Sequence, residues 1–240
     1  MFKKSLLTLS LIALSGSVLS APIANLKVNG DIKPPTCTVN GLEQNDVIFN
    51  YGVISPSMIP QSDFYTYPSG VVKNSIIVEC DASTYLTFIA LDTYSGSNLT
   101  EIPNNLNKDY FFHLVVPDSD NAIGAAIFRW ENVMVDGLTA YISKANDGSE
   151  GSLSHTTGQY ILTQGTTSGF TKEQQRGIPK ESLNLIAGKI FSFDIRQPDT
   201  STSGFSTFLL SRDNLISKNI DVSEGVDFIG EAVMTFNFGV

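Results

Sequence analysis

Two histidines, two cysteines and a scatter of carboxylates are what this 240-residue chain offers for chemistry. A hydrolase of the Ser-His-Asp kind needs three groups brought together by the fold. Such combinations can be picked from any chain of this length, so their presence decides nothing. His113 lies in an apolar, β-prone run and reads as a strand histidine with a satisfied hydrogen bond. His155 lies in a stretch rich in Gly, Ser and Thr and reads as a solvated loop residue. There is no nucleophile elbow, no phosphate-cradling glycine loop and no histidine pair at metal-binding spacing. Asp118, Asp120 and Asn121 begin like a calcium loop, but the liganding series does not continue, and a solvated turn is the better reading. Dispersed Asp and Glu neither support nor exclude a glycosidase pair. Asn98-Leu99-Thr100 is a glycosylation sequon by letter and reads as chance. The expectation is a protein that is not an enzyme and carries no cofactor or metal.

The chemistry that remains belongs to Cys37 and Cys80. They stand 43 positions apart without histidines near them, which makes no zinc site. Their compartment is set by the amino terminus. Met1-Phe2-Lys3-Lys4 is basic, residues 6–14 are apolar, and residues 15–21 are small and offer a cleavage site after Ala21 or Ser20. This reads as a secretory signal over residues 1–21, too short to span a membrane, with residues 22–240 as one exported domain. Export to an oxidising compartment predicts a Cys37–Cys80 disulfide. Loss of Lys3 and Lys4 moves the formal charge from -9 to -11. An acidic chain without a basic cluster argues against nucleic acid as a partner and against docking on an anionic membrane.

Strands must position these residues, because aromatic and β-branched side chains are plentiful and helical periodicity is scarce. Leu26, Val28 and Ile32 alternate with polar residues and predict a first strand, stopped by Pro34-Pro35. Val47, Phe49 and Tyr51 alternate next, then Ile76, Val78 and Cys80. Further β-prone runs occupy residues 85–91, 110–116, 123–130, 133–142, 190–195, 205–210 and 215–222. Short strands at this spacing read as an all-β sandwich or barrel. The pattern loosens between residues 139 and 188, which read as a loop-rich insertion with room for a hairpin. At the carboxyl end, Ala232, Met234, Phe236 and Phe238 share one face of a last strand and Val233, Thr235, Asn237 and Gly239 the other. An apolar strand at a chain end is a hazard unless something pairs with it.

Three stretches then fall into one order. Val28-Asn29-Gly30-Asp31-Ile32 leads through Pro35 to Cys37-Thr38-Val39. Val47-Ile48-Phe49-Asn50-Tyr51-Gly52 follows, and Ile76-Ile77-Val78-Glu79-Cys80-Asp81 supplies the second cysteine. With Ile123-Gly124 in mid-chain and the closing strand after Gly230, this order resembles the subunits of bacterial chaperone–usher fimbriae. It is most similar to a fimbrial-like family whose members are encoded beside chaperone and usher genes. The match covers residues 26–92 and 208–238 and is thin over residues 139–200. The resemblance implies an immunoglobulin-like, pilin-type β-sandwich lacking one strand. It implies a periplasmic chaperone, an outer-membrane usher and other fimbrial subunits as partners, and passage from periplasm to cell surface. It assigns the chaperone and donor-strand interface to Ala232, Met234, Phe236, Phe238 and the carboxylate of Val240.

Two departures bear on the role. Only Pro22-Ile23-Ala24-Asn25 precedes the expected first strand, too short a donor extension at about 3.3 Å per residue. The chain would then accept a donor and give none, as a minor or terminal subunit, or be complete by itself. The stretch from residue 139 to 188 also exceeds what a plain subunit needs, and loops on a rigid β scaffold are where binding commonly resides. The second reading is a self-sufficient periplasmic or surface module for a host or surface ligand such as carbohydrate, with Tyr141, Tyr160 and Trp130 available for stacking.

Overall fold

One 20-residue strand, β3 (Lys73–Asp92), organises the chain. The computed structural model describes residue 24 and residues 26–68, 72–148, 160–198 and 205–239. Ile76, Val78, Cys80, Leu86, Phe88 and Ala90 alternate along β3 and are all buried. The middle, Asp81-Ala82-Ser83-Thr84, has no large apolar side chain, which is why the pattern reads as two strands. Backbone pairing carries the strand across this gap, with Asp81 bonded to Thr36 and Thr84 opposite Gly188.

Two sheets result, and the fold is an all-β sandwich. The larger sheet runs β10 (Arg176–Ile178), β8 (Tyr141–Ala145), β9 (Ser168–Thr171), β3, β11 (Ala187–Arg196), β6 (Arg129–Val135) and β7 (Leu138–Thr139). Two further strands, β1 (Cys37–Val39) and β13 (Ala232–Phe238), pair with β3. The smaller sheet is β2 (Tyr65–Thr66), β12 (Phe208–Leu209), β5 (Ala122–Ala126) and β4 (Phe112–Val115). Phe88 stacks on Phe193 at 5.9 Å and meets Trp130 edge-on at 6.3 Å, and Phe111 meets Phe208 at 5.6 Å. Aromatic contacts of this kind add about 0.5–1.5 kcal/mol each beyond the area they bury.

Several expectations change. The stretch from residue 139 to 188 does hold a hairpin, β8–β9, and β9 enters the main sheet beside Thr87 and Phe88. Ile142 and Phe170 are fully buried. The strands were hidden because Ser143, Lys144, Ser168 and Thr171 are also buried, so no polar–apolar alternation marks them. Residues 215–222 form no strand. Their first part closes helix α1 (Arg212–Ser217), capped where the Ser211 hydroxyl accepts from Asn214 N–H at 3.2 Å.

The chain divides into two compact units, Met1–Pro34 and Pro35–Val240. In the first, the strand expected from Leu26 to Ile32 is absent: residues 26–34 have no helix or strand, and Leu26, Val28 and Ile32 are 96 %, 96 % and 103 % exposed. The signal segment over residues 1–21 and His155 lie outside the described residues.

Gly124 shows how tightly the smaller sheet is drawn together. A Cβ there would stand 2.1 Å from the Phe208 carbonyl oxygen and 2.8 Å from the Leu209 Cα. Gly124→Ala must part β5 from β12, an overpacking cost of about 1–3 kcal/mol. Chemical denaturation should show that loss without an altered slope.

A charged strap crosses β3, β11 and β6. Lys73 Nζ lies 3.1 Å from Glu131 and 2.9 Å from Asp194, and Arg196 Nε donates to Glu131 at 2.7 Å. Burial raises both carboxyls, but the hydrogen bonds from Arg196 and Lys73 to Glu131, and from Ser75, Lys73 and Asn132 to Asp194, outweigh it and hold both below the usual range. A carboxylate depressed by folding stabilises above its unfolded pKa, and the gain disappears as pH falls through the folded value. Thermal stability should therefore fall most steeply below about pH 4. Lys73→Met should flatten that dependence.

Candidate functional site

β13 lies antiparallel to the end of β3, from Ala232 opposite Asp92 to Phe238 opposite Leu86. Ala232, Met234 and Phe236 turn to the core, where the Phe236 ring sits 5.6 Å from Phe88. All three are only partly buried. Phe238, expected on the same face, is 49 % exposed, and Val233 on the other face is 47 % exposed. The ends are pinned. Thr93 donates its N–H to the Glu231 carbonyl at 3.1 Å and its hydroxyl to the Glu231 carboxylate at 2.6 Å. Gly239 N–H donates to the Tyr85 carbonyl at 2.9 Å, and the Thr87 hydroxyl donates to the Gly239 carbonyl at 2.5 Å. On its other side β13 pairs with no strand among the described residues. Val240 lies outside them.

β1 and β13 occupy the same flank of β3. Asp81, Tyr85 and Thr93 all direct their backbone groups to that side, toward Thr36, Gly239 and Glu231. β13 fills that flank from Leu86 to Asp92, which leaves only the short span between Asp81 and Tyr85 for a chain arriving at Thr36.

A second unpaired backbone lies over the same core. Residues 45–54 form no helix or strand, with Val47, Phe49 and Ile54 packed inward while Ile48 and Val53 are 71 % and 100 % exposed. They pair with no strand among the described residues. Phe49 meets Phe128 at 4.9 Å. Tyr51 meets Tyr67 edge-on at 4.6 Å and its hydroxyl lies 3.3 Å from that of Thr207. Burial pushes the Tyr51 hydroxyl up to about 12, so it stays a neutral anchor.

Among the described residues, the groups weighed for catalysis do not come together as a triad. His113 Nδ1 lies 2.9 Å from the Tyr94 carbonyl, 2.9 Å from the Ser97 hydroxyl and 3.4 Å from the buried Asp92 carboxylate. All three partners converge on one ring nitrogen, whereas a triad sets hydroxyl and carboxylate on opposite nitrogens. Asp118 and Asn121 belong to a tight turn in which Val116 N–H donates to the Asn121 carbonyl at 3.2 Å. The stacking candidates are dispersed. Trp130 is 2 % exposed beside the Lys144 ammonium, Tyr160 carries the Arg129 guanidinium at 5.3 Å, and Tyr141 is 39 % exposed.

Cys37 and Cys80 are joined, with their strands in register. What the described site offers is a free row of β13 backbone groups above a partly covered apolar floor. In general, an open strand edge of this kind can take an added strand, with hydrogen bonds from the backbone and specificity from alternate side chains. Alternation alone could not tell that residues 26–34 form no strand; Pro34-Pro35 was the available signal.

No family model matches this chain, and no curated protein matches it in sequence.

Proposed function

We propose that this chain is a fimbrial-type subunit whose sandwich is completed by a strand from another polypeptide laid along β13. The observation that carries the reading is the unpaired edge of β13, with Met234 and Phe236 half-covered beneath it. Residues 45–54, packed on the same core without a ladder among the described residues, support it. In the periplasm the donor is a chaperone strand. At the outer-membrane usher a neighbouring subunit replaces it, and the product is displayed at the cell surface.

The exposed residues 26–34 enlarge the role. A donor must be extended, unpaired and apolar at every second position, and Leu26, Val28 and Ile32 meet that pattern on one face with Gly30 between them. Nine extended residues span about 30 Å, against about 23 Å for a seven-residue strand such as β13. The stretch before β1 is thus long enough to cover another subunit's β13, and the chain both accepts and donates.

A synthetic peptide of residues 22–34 added to a chain lacking them tests this directly. Saturable binding that raises the unfolding temperature and protects β13 amides from exchange is the expected result. A truncated chain that is monomeric, melts cooperatively and ignores the peptide would overturn the proposal.

A further inference from the structure

We infer that Asn29 is a self-modifying site. Its carboxamide closes onto the Gly30 nitrogen and reopens as isoaspartate, and this ends the working life of the donor segment. The tripeptide Val-Asn-Gly occurs twice in the chain, at residues 28–30 and at residues 39–41. Asparagine is a thermolabile side chain, and a glycine after it removes the Cβ that would crowd the reacting nitrogen. One sequence stands in two structural settings, and the settings select which copy reacts.

The second copy is locked. Asn40 and Gly41 have φ of 50° and 82° and form the two-residue turn between Val39 and Leu42. Val39 N–H donates to the Leu42 carbonyl at 2.7 Å, and Leu42 N–H to the Val39 carbonyl at 3.1 Å. Positive φ at both positions is the hairpin turn that favours Asn-Gly. The Asn40 carboxamide is held at both ends. Its oxygen accepts from Ile77 N–H at 2.9 Å, and its nitrogen donates to Asn45 Oδ1 at 3.2 Å and to the Ser75 carbonyl at 3.4 Å. To reach the Gly41 nitrogen it must give up these bonds and the turn. The first copy has no such restraint. Residues 26–34 form no helix or strand and are all exposed. The Asn29 side chain makes no hydrogen bond among the described residues, and a Cβ on Gly30 would meet no atom within 4 Å.

The reaction needs water and no cofactor. The Gly30 nitrogen attacks Asn29 Cγ and gives its proton, through solvent base, to the departing Nδ2. The Cγ–Nδ2 bond breaks, ammonia leaves, and a succinimide ring joins Cγ to the Gly30 nitrogen. Water then adds to either ring carbonyl. Opening at Cγ leaves aspartate, whose side chain in an extended donor lies with Lys27 and Asp31, on the face opposite Leu26 and Val28. Opening at the backbone carbonyl leaves isoaspartate, in which the main chain runs through Cβ and Cγ. That lengthens the main chain by one atom between Val28 and Ile32. Leu26 and Val28 then no longer share a face with Ile32, and the backbone groups fall out of step with an acceptor strand. This consequence rests on the donor reading; the reaction itself does not.

The test is incubation of the monomeric mature chain at mildly alkaline pH. Peptide mapping reads the mass gain of amide-to-acid conversion, and enzymatic methylation reads isoaspartate. In the folded chain Asn29 should convert well before Asn40, and faster as pH rises, because the attacking nitrogen must lose a proton. In denaturant, with the disulfide reduced, the two rates should converge. Gly30→Ala should slow conversion strongly while meeting only open space. Equal conversion at both asparagines in the folded chain, or none at Asn29, would overturn the inference. Peptides of residues 22–34 carrying asparagine, aspartate or isoaspartate at position 29 are then titrated against the chain lacking those residues. The isoaspartyl form should bind about tenfold more weakly than the other two, for the loss of one or two or so backbone hydrogen bonds. Equal binding by the asparaginyl and isoaspartyl forms would overturn the consequence for assembly. If none of the three binds, the donor reading falls and that consequence with it, while the reaction at Asn29 stands.

Discussion

Phe236→Asp is expected to abolish capture of a donor strand, with at least a hundredfold loss of affinity and no chaperone recovered with the tagged protein from periplasm. Phe236 lies on the floor beneath the free edge, 5.6 Å from Phe88 and within the reach of the aromatic cluster that Phe88 forms with Phe193, Phe170 and Trp130. An incoming strand would seal this floor and leave an unpaired carboxylate without water. That penalty is several kcal/mol, to which loss of the ring's own packing adds about 2–4 kcal/mol. Thr235→Asp is the control. Thr235 is exposed and directed to the opposite face of the same strand, opposite Ile89, so its backbone pairing is unchanged and its charge stays solvated. The two variants should differ widely in co-purification and in peptide titration. Equal capture by both would mean that β13 is not where the donor lies.

Cys37→Ala with Cys80→Ala is expected to cost about 4 kcal/mol, because the bridge closes a 43-residue separation and removes that loop's freedom from the unfolded chain. For a domain of this size the loss corresponds to a fall in Tm of about 8–16 °C. The effect should also be localised. β1 is three residues long and holds only the register Cys37–Cys80, Thr38–Glu79 and Val39–Val78. Without the bridge, β1 should lose exchange protection first, while β5 and β12 keep theirs. A uniform loss across both sheets would instead mean that β1 is integral to the cooperative core. Reduction of the unaltered protein should reproduce the double variant, which separates the effect of the bridge from that of the side chains.

Part of this was legible in the residues. The alternation of Ile76, Val78 and Cys80 and of Leu86, Phe88 and Ala90 marks one buried face, and burial follows it along β3. The run from Ala232 to Phe236 likewise turns the side chains expected toward the core. Elsewhere period two misleads. Leu26, Val28 and Ile32 carry the same signature as β3 but belong to no strand among the described residues. Leu215 and Ile220 are buried and β-prone, yet Ser211 caps a helix there. β9 shows no alternation at all, because Leu183 and Leu185 lie close over Gly169 on one side while Phe170 enters the core on the other.

Local pattern, composition and the cysteine pair determined an all-β chain with a disulfide and a last strand whose core-facing side chains from Ala232 to Phe236 could be named. These properties depend on neighbouring residues and on side-chain chemistry, which a chain carries with it before it folds. Which backbones are left without a partner was decided only in three dimensions. Pairing is a relation between distant segments: β13 takes the flank of β3 from Leu86 to Asp92, and residues 45–54 run without a ladder among the described residues. No residue's own propensity records whether its neighbour in space will be another strand or water.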